Sequence, residues 1–238
     1  MNIQQLNLQA KTAISLFLLF VIVATLSSVI LLGLSLTGEK KGLNIPTVTQ
    51  IKNKYATPEL VGSMRGSMYE HVVDDGDIDL VDQWIKNGAL KTDPDYEDIA
   101  EIMSLDCADC HSKSSTMSKA IPSMPLENYD QIKSHTQTGY SWKTMSKQAH
   151  IHMYGISMFL IILTIIFAYT TYKDVIKTTL IVTSFGGAFL DIFSWWFSKF
   201  YPGLVYMIYF MGAIMVGSIL LMSLLILIDL WKKQGAKV

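Results

Sequence analysis

Both cysteines of the chain fall in one pentapeptide, Cys107-Ala108-Asp109-Cys110-His111. Thiols spaced i and i+3 at a helix end lie on one face, about one turn apart. That separation lets both reach the two vinyl groups of a single haem, while the adjacent imidazole swings under the iron as its proximal ligand. C-x-x-C-H is the spacing of covalent haem c attachment. Two other chemistries use paired cysteines. A redox-active disulfide of the thioredoxin kind needs a βαβ frame, and the sequence has no strand-like alternation to supply one. A structural zinc site needs four ligands, and there is no second cysteine pair.

On these residues the chain resembles c-type cytochromes carrying a single haem. The resemblance covers Cys107, Cys110 and His111 with their helical neighbourhood. It implies one covalently attached haem c, with Cys107 and Cys110 as attachment points and His111 as proximal iron ligand, loaded on the periplasmic side of a bacterial inner membrane. In the small cytochromes c a methionine well downstream closes the distal side. Here Met124-Pro125 comes only 13 positions after His111, which is short for that arrangement. Upstream, Met64, Met68 and His71 fall at i, i+4 and i+7, one stripe of a helix. The distal candidates are Met68, then Met124, then His71, with His135 or an open site as further alternatives. Methionines at helical spacing also serve as ordinary core. Thioether ligation would raise the potential relative to a bis-histidine site.

The elements that must carry this motif are mostly apolar. Half of the 238 residues are hydrophobic and 16% are charged, against about 25% charged in a soluble domain. Four runs are long enough to cross roughly 30 Å of hydrocarbon as helices. They lie between Lys11 and Glu39, Lys147 and Lys173, Lys177 and Lys199 (interrupted by Asp191), and Lys199 and Asp229. The first has an apolar core from Ala13 to Leu36, longer than a secretory h-region and without a following A-x-A site, which reads as an uncleaved signal anchor. Lys11, Lys173, Lys177, Lys232, Lys233 and Lys237 flank one side and only Lys199 the short loop on the other. The positive-inside rule then places both termini in the cytoplasm and the long polar segment in the periplasm. Trp142, Trp195, Trp196 and Tyr201 mark the outer boundary and Trp231 the inner one. The expected organisation is a signal-anchor helix at 1–37, a cytochrome c-like domain at 38–148 and a three-helix membrane domain at 149–238. The fold class is all-α, four transmembrane helices with a mainly helical periplasmic haem domain inserted between the first and second.

Within the polar domain the pattern predicts helices over Glu59–Val73, Asp79–Lys86 (stopped by Asn87-Gly88), from Asp93-Pro94 through Leu105 into the cysteines, and Leu126–His135. Residues 70–109 hold 13 acidic side chains against Lys86 and Lys91. This stretch is a solvated face or a docking patch for a basic redox partner. Asp75-x-Asp77-x-Asp79 resembles a calcium loop in part. Leu80 and Lys86 stand where its glycine and bidentate glutamate belong, so that pattern fails. Near-neutral net charge argues against nucleic-acid binding.

Asp191 is the one carboxylate expected well inside a span, a functional hypothesis by default. With His150 and His152 at the mouth of the second span it suggests a quinol site whose electron goes to the haem. Alternatively, Asp191 bonds neighbouring helices and the two histidines sit at the interface. Gly186-Gly187 and Ala213-x-x-x-Gly217 permit close helix approach. The expected function is electron relay between a quinol or membrane dehydrogenase and a periplasmic acceptor, with membrane lipid and respiratory-complex subunits as partners. One haem moves one electron and quinol gives two, so a subunit fits better than a complete enzyme. A haem-based sensor or assembly subunit, and a membrane-tethered thiol-disulfide oxidoreductase, are the alternatives.

Overall fold

The computed structural model describes residues 2–37 and 45–232. Glu39, Lys233 and Lys237, used above to bound spans and to orient the chain, lie outside the described residues. Among the described residues nine α-helices follow in order: α1 (Leu8–Thr37), α2 (Val48–Tyr55), α3 (Glu59–Met64), α4 (Asp75–Lys86), α5 (Tyr96–Ile102), α6 (Tyr129–Ser134), α7 (Trp142–Ala168), α8 (Asp174–Phe197) and α9 (Val205–Trp231). The described fold is all-helical, and extended pairing within it is limited to one isolated bridge between Pro58 and Thr138. The chain divides into two compact units: residues 1–32, 143–198 and 203–238, and residues 33–142 with 199–202.

The first unit holds α1, α7, α8 and α9, each long and apolar enough to cross a membrane. Leu18 and Val21 of α1, Leu160, Leu163 and Phe167 of α7, Ala188 of α8, and Ile219, Met222, Ile226 and Leu230 of α9 form its core. Apolar side chains such as Phe20, Leu31, Phe189 and Ile228 point outward, as helices solvated by lipid require. Gly187 is where α8 meets α9: a Cβ there would lie 2.9 Å from the Met211 carbonyl oxygen. Gly186 and Gly217 face open space instead, so one glycine of the two patterns makes the close approach.

One end of this unit is tied together by Asp229, buried at the close of α9. Its carboxyl accepts Gln4 Nε2–H at 2.9 Å, the Thr171 backbone N–H at 2.8 Å and the Thr171 hydroxyl at 2.5 Å. Ile3 donates its backbone N–H to the Tyr169 carbonyl at 3.3 Å, and Trp231 Nε1–H bonds Ser15 Oγ at 3.0 Å. The residues before α1, the close of α9 and the α7–α8 loop therefore share one end of the bundle.

The second unit is built on Trp84, Ile99, Met103, Ile132, Val81 and Val61, all essentially inaccessible to solvent. Its first helix, α2, was not anticipated; Thr47 and Gln50 cap it reciprocally, the S/T-x-x-E/Q signature of a helix start. α4 begins earlier than its apolar pattern, because Asp74 accepts the Gly76 N–H at 2.8 Å as N-cap, and Gly88 at φ +102° ends it. The helix expected over Glu59–Val73 stops at Met64. Ser63 oxygen takes the N–H groups of both Gly66 and Met68 (3.0 and 2.9 Å), closing turns where two glycines weaken helix propensity. A strap at 135–140 lies against the α2–α3 turn through Glu59 N–H to Gln137 O, Leu60 N–H to His135 O and Gly139 N–H to Thr57 O. Gly139 has φ +58°, and a Cβ there would meet the Tyr55 oxygen at 2.5 Å. Lys199 donates to the Thr138 oxygen at 2.6 Å and to the Tyr140 oxygen, beneath the Trp142 ring. Burial lowers its pKa, with Glu59 opposing.

Candidate functional site

The chain enters the cysteine motif through a widened helical turn. After α5, residues Met103–Cys107 form a π-type turn, with Ala108 N–H bonded to the Met103 oxygen at 2.9 Å. Such turns concentrate at functional positions. Met103, fully buried, pins it to the core, and Cys107 packs partly on the same core. A following turn closes from His111 N–H to Cys107 O at 2.8 Å, so the two sulfurs and the imidazole lie within one turn of chain. Both cysteines are free thiols, half exposed. Burial, then Asp106 and Cys110, push the Cys107 thiol up to about 11. Burial in this way disfavours the thiolate form of Cys107.

His111 is held by its own downstream loop. Its Nδ1 lies 2.8 Å from the Met124 carbonyl oxygen. A carbonyl can only accept, so Nδ1 carries a proton, and in the neutral ring Nε2 then keeps its lone pair. Around this bond, Ile121 N–H reaches Cys110 O and Leu126 N–H reaches His111 O, both at 2.8 Å. Glu127 accepts the Ser112 hydroxyl at 2.6 Å and the Lys113 N–H at 3.4 Å. Two free thiols and an imidazole with a ring nitrogen held ready as a donor fit the attachment set of a haem c.

The distal candidates are scattered. Met64 is buried in the core, while Met68, half-buried, precedes a short 3₁₀ turn at Tyr69–His71. His71 is exposed, 3.4 Å from Glu70. The single stripe expected of these three is absent, because the helix that would align them ends at Met64. Met124 meets the His111 ring through its backbone, and His135 Nδ1 lies 3.2 Å from Glu59. Sequence reasoning missed Met117, exposed, with Sδ 3.9 Å from Cys110 Sγ. It also overlooked the Met124 carbonyl. The signal was Pro125, since the residue before proline is held extended and its oxygen is left outside any helix.

Asp106 adjoins the motif, and acidic side chains of α4 lie near it. Asp106 accepts the Val73 N–H at 3.3 Å, and burial together with Asp74 and Asp106 raises the Asp77 pKa. Arg65 and Lys86 converge on Asp82 at 3.2 and 3.1 Å. Among the described residues no three His, Cys, Asp or Glu side chains form a metal cluster.

In the first unit, Asp191 is 8% exposed and accepts the Trp195 indole N–H at 3.1 Å. The His152 ring meets the same indole edge-on at 5.2 Å, and its Nδ1–H donates to the Gln148 oxygen at 2.8 Å, leaving Nε2 as an acceptor. His150 instead lies tilted against Tyr154, ring centroids 4.9 Å apart. The structure thus brings Asp191 and His152 to one tryptophan and leaves His150 apart. A groove of about 310 Å³ runs between α7 and α8, lined by Met153, Ile156, Phe185, Phe189, Phe193 and Trp196 among others. Asp229, read from sequence only as the limit of a span, is the other buried carboxyl among the described residues of this unit.

Residues 122–237 match a family model described as a transmembrane helical domain. No curated protein and no solved structure matches the chain. With the four spans, the family match makes this an integral membrane protein in contact with lipid.

Proposed function

We propose that residues 107–111 carry one covalently attached haem c and that the chain is a membrane-bound electron-transfer subunit of a respiratory complex. The observation that carries this reading is the His111 Nδ1–Met124 oxygen bond beside two free thiols. A metal-ligating histidine characteristically donates its second ring N–H to a backbone carbonyl or carboxylate, which fixes the tautomer and raises the basicity of the ligating nitrogen. Cys107 and Cys110 would hold the porphyrin through thioether bonds, and His111 Nε2 would face the iron. Of the two distal candidates carried by the sequence, Met124 has its carbonyl on His111 Nδ1 and would lie behind the proximal ring, which leaves Met68. When bound, haem c supplies one-electron chemistry at its iron.

The other residues act on protons and partners. Asp191, oriented by the Trp195 indole, is the proton acceptor for a quinol in the outer half of the bundle, with His152 Nε2 as a second acceptor on the same tryptophan. The apolar groove between α7 and α8 is lined by the neighbouring Ile192 and Trp196 and not by Asp191, whose carboxyl lies against Gly212 of α9. Since quinol yields two electrons, a second acceptor belongs to a partner subunit, and the chain works as a relay to a periplasmic acceptor. Lysine placement supports a bacterial inner-membrane location with the haem domain outside and both termini in the cytoplasm.

Pyridine haemochrome spectroscopy with peroxidase staining on a denaturing gel tests the cofactor, because only a thioether-linked haem survives denaturation. A stained band with the spectrum of two saturated vinyl groups supports it, and an unstained band removes it. Asp191→Asn is expected to slow quinol-dependent haem reduction; an unchanged rate removes the quinol site and leaves the cofactor assignment standing.

A further inference from the structure

The loop after His111 is closed at its neck by more than backbone. Residues 112–127 leave the imidazole and return to it, and the return is what presents the Met124 oxygen to Nδ1. Four bonds hold the neck: the ring itself to Met124 O, Leu126 N–H to His111 O, Ser112 Oγ–H to Glu127 Oε1, and Lys113 N–H to Glu127 Oε2. Both side-chain bonds end on a single carboxylate. Ser112 Oγ also accepts the Ser114 N–H at 3.2 Å and lies 3.0 Å from the Ser114 hydroxyl; because an ionised carboxylate can only accept, the Ser112 hydroxyl donates to Glu127. The Glu127 backbone N–H is fixed separately, on Gln131 Oε1 at 2.7 Å, which seats the residue at the foot of α6 whatever its side chain does.

We propose that Glu127 is a positioning residue for His111. By clamping Ser112 and Lys113 to the returning segment, it keeps the Met124 oxygen on Nδ1 and so fixes the tautomer and orientation of the ring. The clamp is charge-assisted on the acceptor side, the stronger class of hydrogen bond. Glu127 touches neither the ring nor the thiols and acts through the loop. The Ser112 and Lys113 bonds also hold the Glu127 carboxyl below its ordinary range, as expected of an acceptor satisfied in its charged form. The consequence for the iron rests on the haem reading above; the consequence for the imidazole does not.

The test uses the full-length protein in lipid nanodiscs, labelled with nitrogen-15 at its five histidines, in haem-free and, where it forms, haem-loaded states. Wild type is expected to show His111 as the Nδ1–H tautomer. Glu127→Ala is expected to convert it to a tautomer mixture and to speed hydrogen exchange at Leu126 roughly tenfold, the loss of about one hydrogen bond to a charged acceptor. Glu127→Gln, whose amide oxygen still accepts from Ser112, is expected to restore most of both. In the loaded protein, Glu127→Ala is expected to raise the midpoint potential, because a ring freed from the carbonyl donates less to ferric iron. Ser112→Ala removes the same bond from the other partner and serves as the second variant should Glu127→Ala fail to fold. A wild-type protein that takes no haem removes the haem reading but leaves the tautomer comparison intact. If Glu127→Ala and Ser112→Ala both keep a pure Nδ1–H tautomer with unchanged exchange, the positioning role is wrong.

Discussion

Replacing Asp229 by alanine isolates one buried polar clamp in the membrane unit. Three donors converge on its carboxyl: Gln4 Nε2–H, Thr171 N–H and the Thr171 hydroxyl. The hydroxyl can turn to another acceptor, but the Thr171 N–H and the Gln4 amide lose theirs. Polar side-chain bonds inside membrane proteins are worth about 0.6 kcal/mol on average and reach about 1.7, so three of them predict a loss of roughly 2–5 kcal/mol for Asp229→Ala. The Asp229→Asn variant keeps a side-chain oxygen for the Thr171 N–H, and its new amide can donate to the Thr171 hydroxyl. That substitution is expected to cost about half as much. Thermal unfolding in detergent followed by tryptophan fluorescence measures both. Limited proteolysis measures release of the segment around Ile3, which should become cleavable only in the alanine variant. An Asp229→Ala protein within about 0.5 kcal/mol of wild type, the range of an inconsequential surface change, with an equally protected N-terminal segment, would refute the reasoning.

Gly187→Ala is expected to destabilise the bundle by about 1–3 kcal/mol through overpacking against the Met211 oxygen, whereas Gly186→Ala, facing open space, should leave the melting temperature unchanged. Trp84→Ala should cost about 3–5 kcal/mol, since the side chain is fully buried and its indole N–H bonds the Leu90 oxygen at 3.0 Å; a denaturant titration of the wild-type and variant proteins reads the difference. Glu127 has a depressed carboxyl pKa in the folded chain, so its contribution is present above the ordinary glutamate range of about 4.3 and is lost as pH falls through the folded value. Protection factors of the 112–127 amides should drop in that window in wild type and not in Glu127→Gln.

The long-range plan of the chain was readable because its signals are compositional. Apolar runs bounded by charged residues gave the four membrane helices, and α1, α7, α8 and α9 follow them, with α7 beginning at Trp142, five residues before the Lys147 boundary. The cysteine motif was equally legible, since both cysteines of the chain fall within five residues. What escaped was set by short-range geometry that periodicity does not encode. The apolar stripe Met64–Met68–His71 looked continuous, yet a shared acceptor at Ser63 and two glycines break the helix beneath it. Asp229 looked like a boundary because a charge at the end of an apolar run usually faces water; its partners come from residues 4 and 171. The oxygen that orients His111 belongs to a backbone, and Met124 drew notice only for its sulfur.

Intact mass spectrometry of the full chain, expressed with haem-attachment machinery and purified from membranes, tests the central claim most directly. The expected result is the polypeptide plus one haem, with the increment lost when Cys107 and Cys110 are both replaced by alanine. A mass equal to the bare polypeptide under those conditions would contradict it.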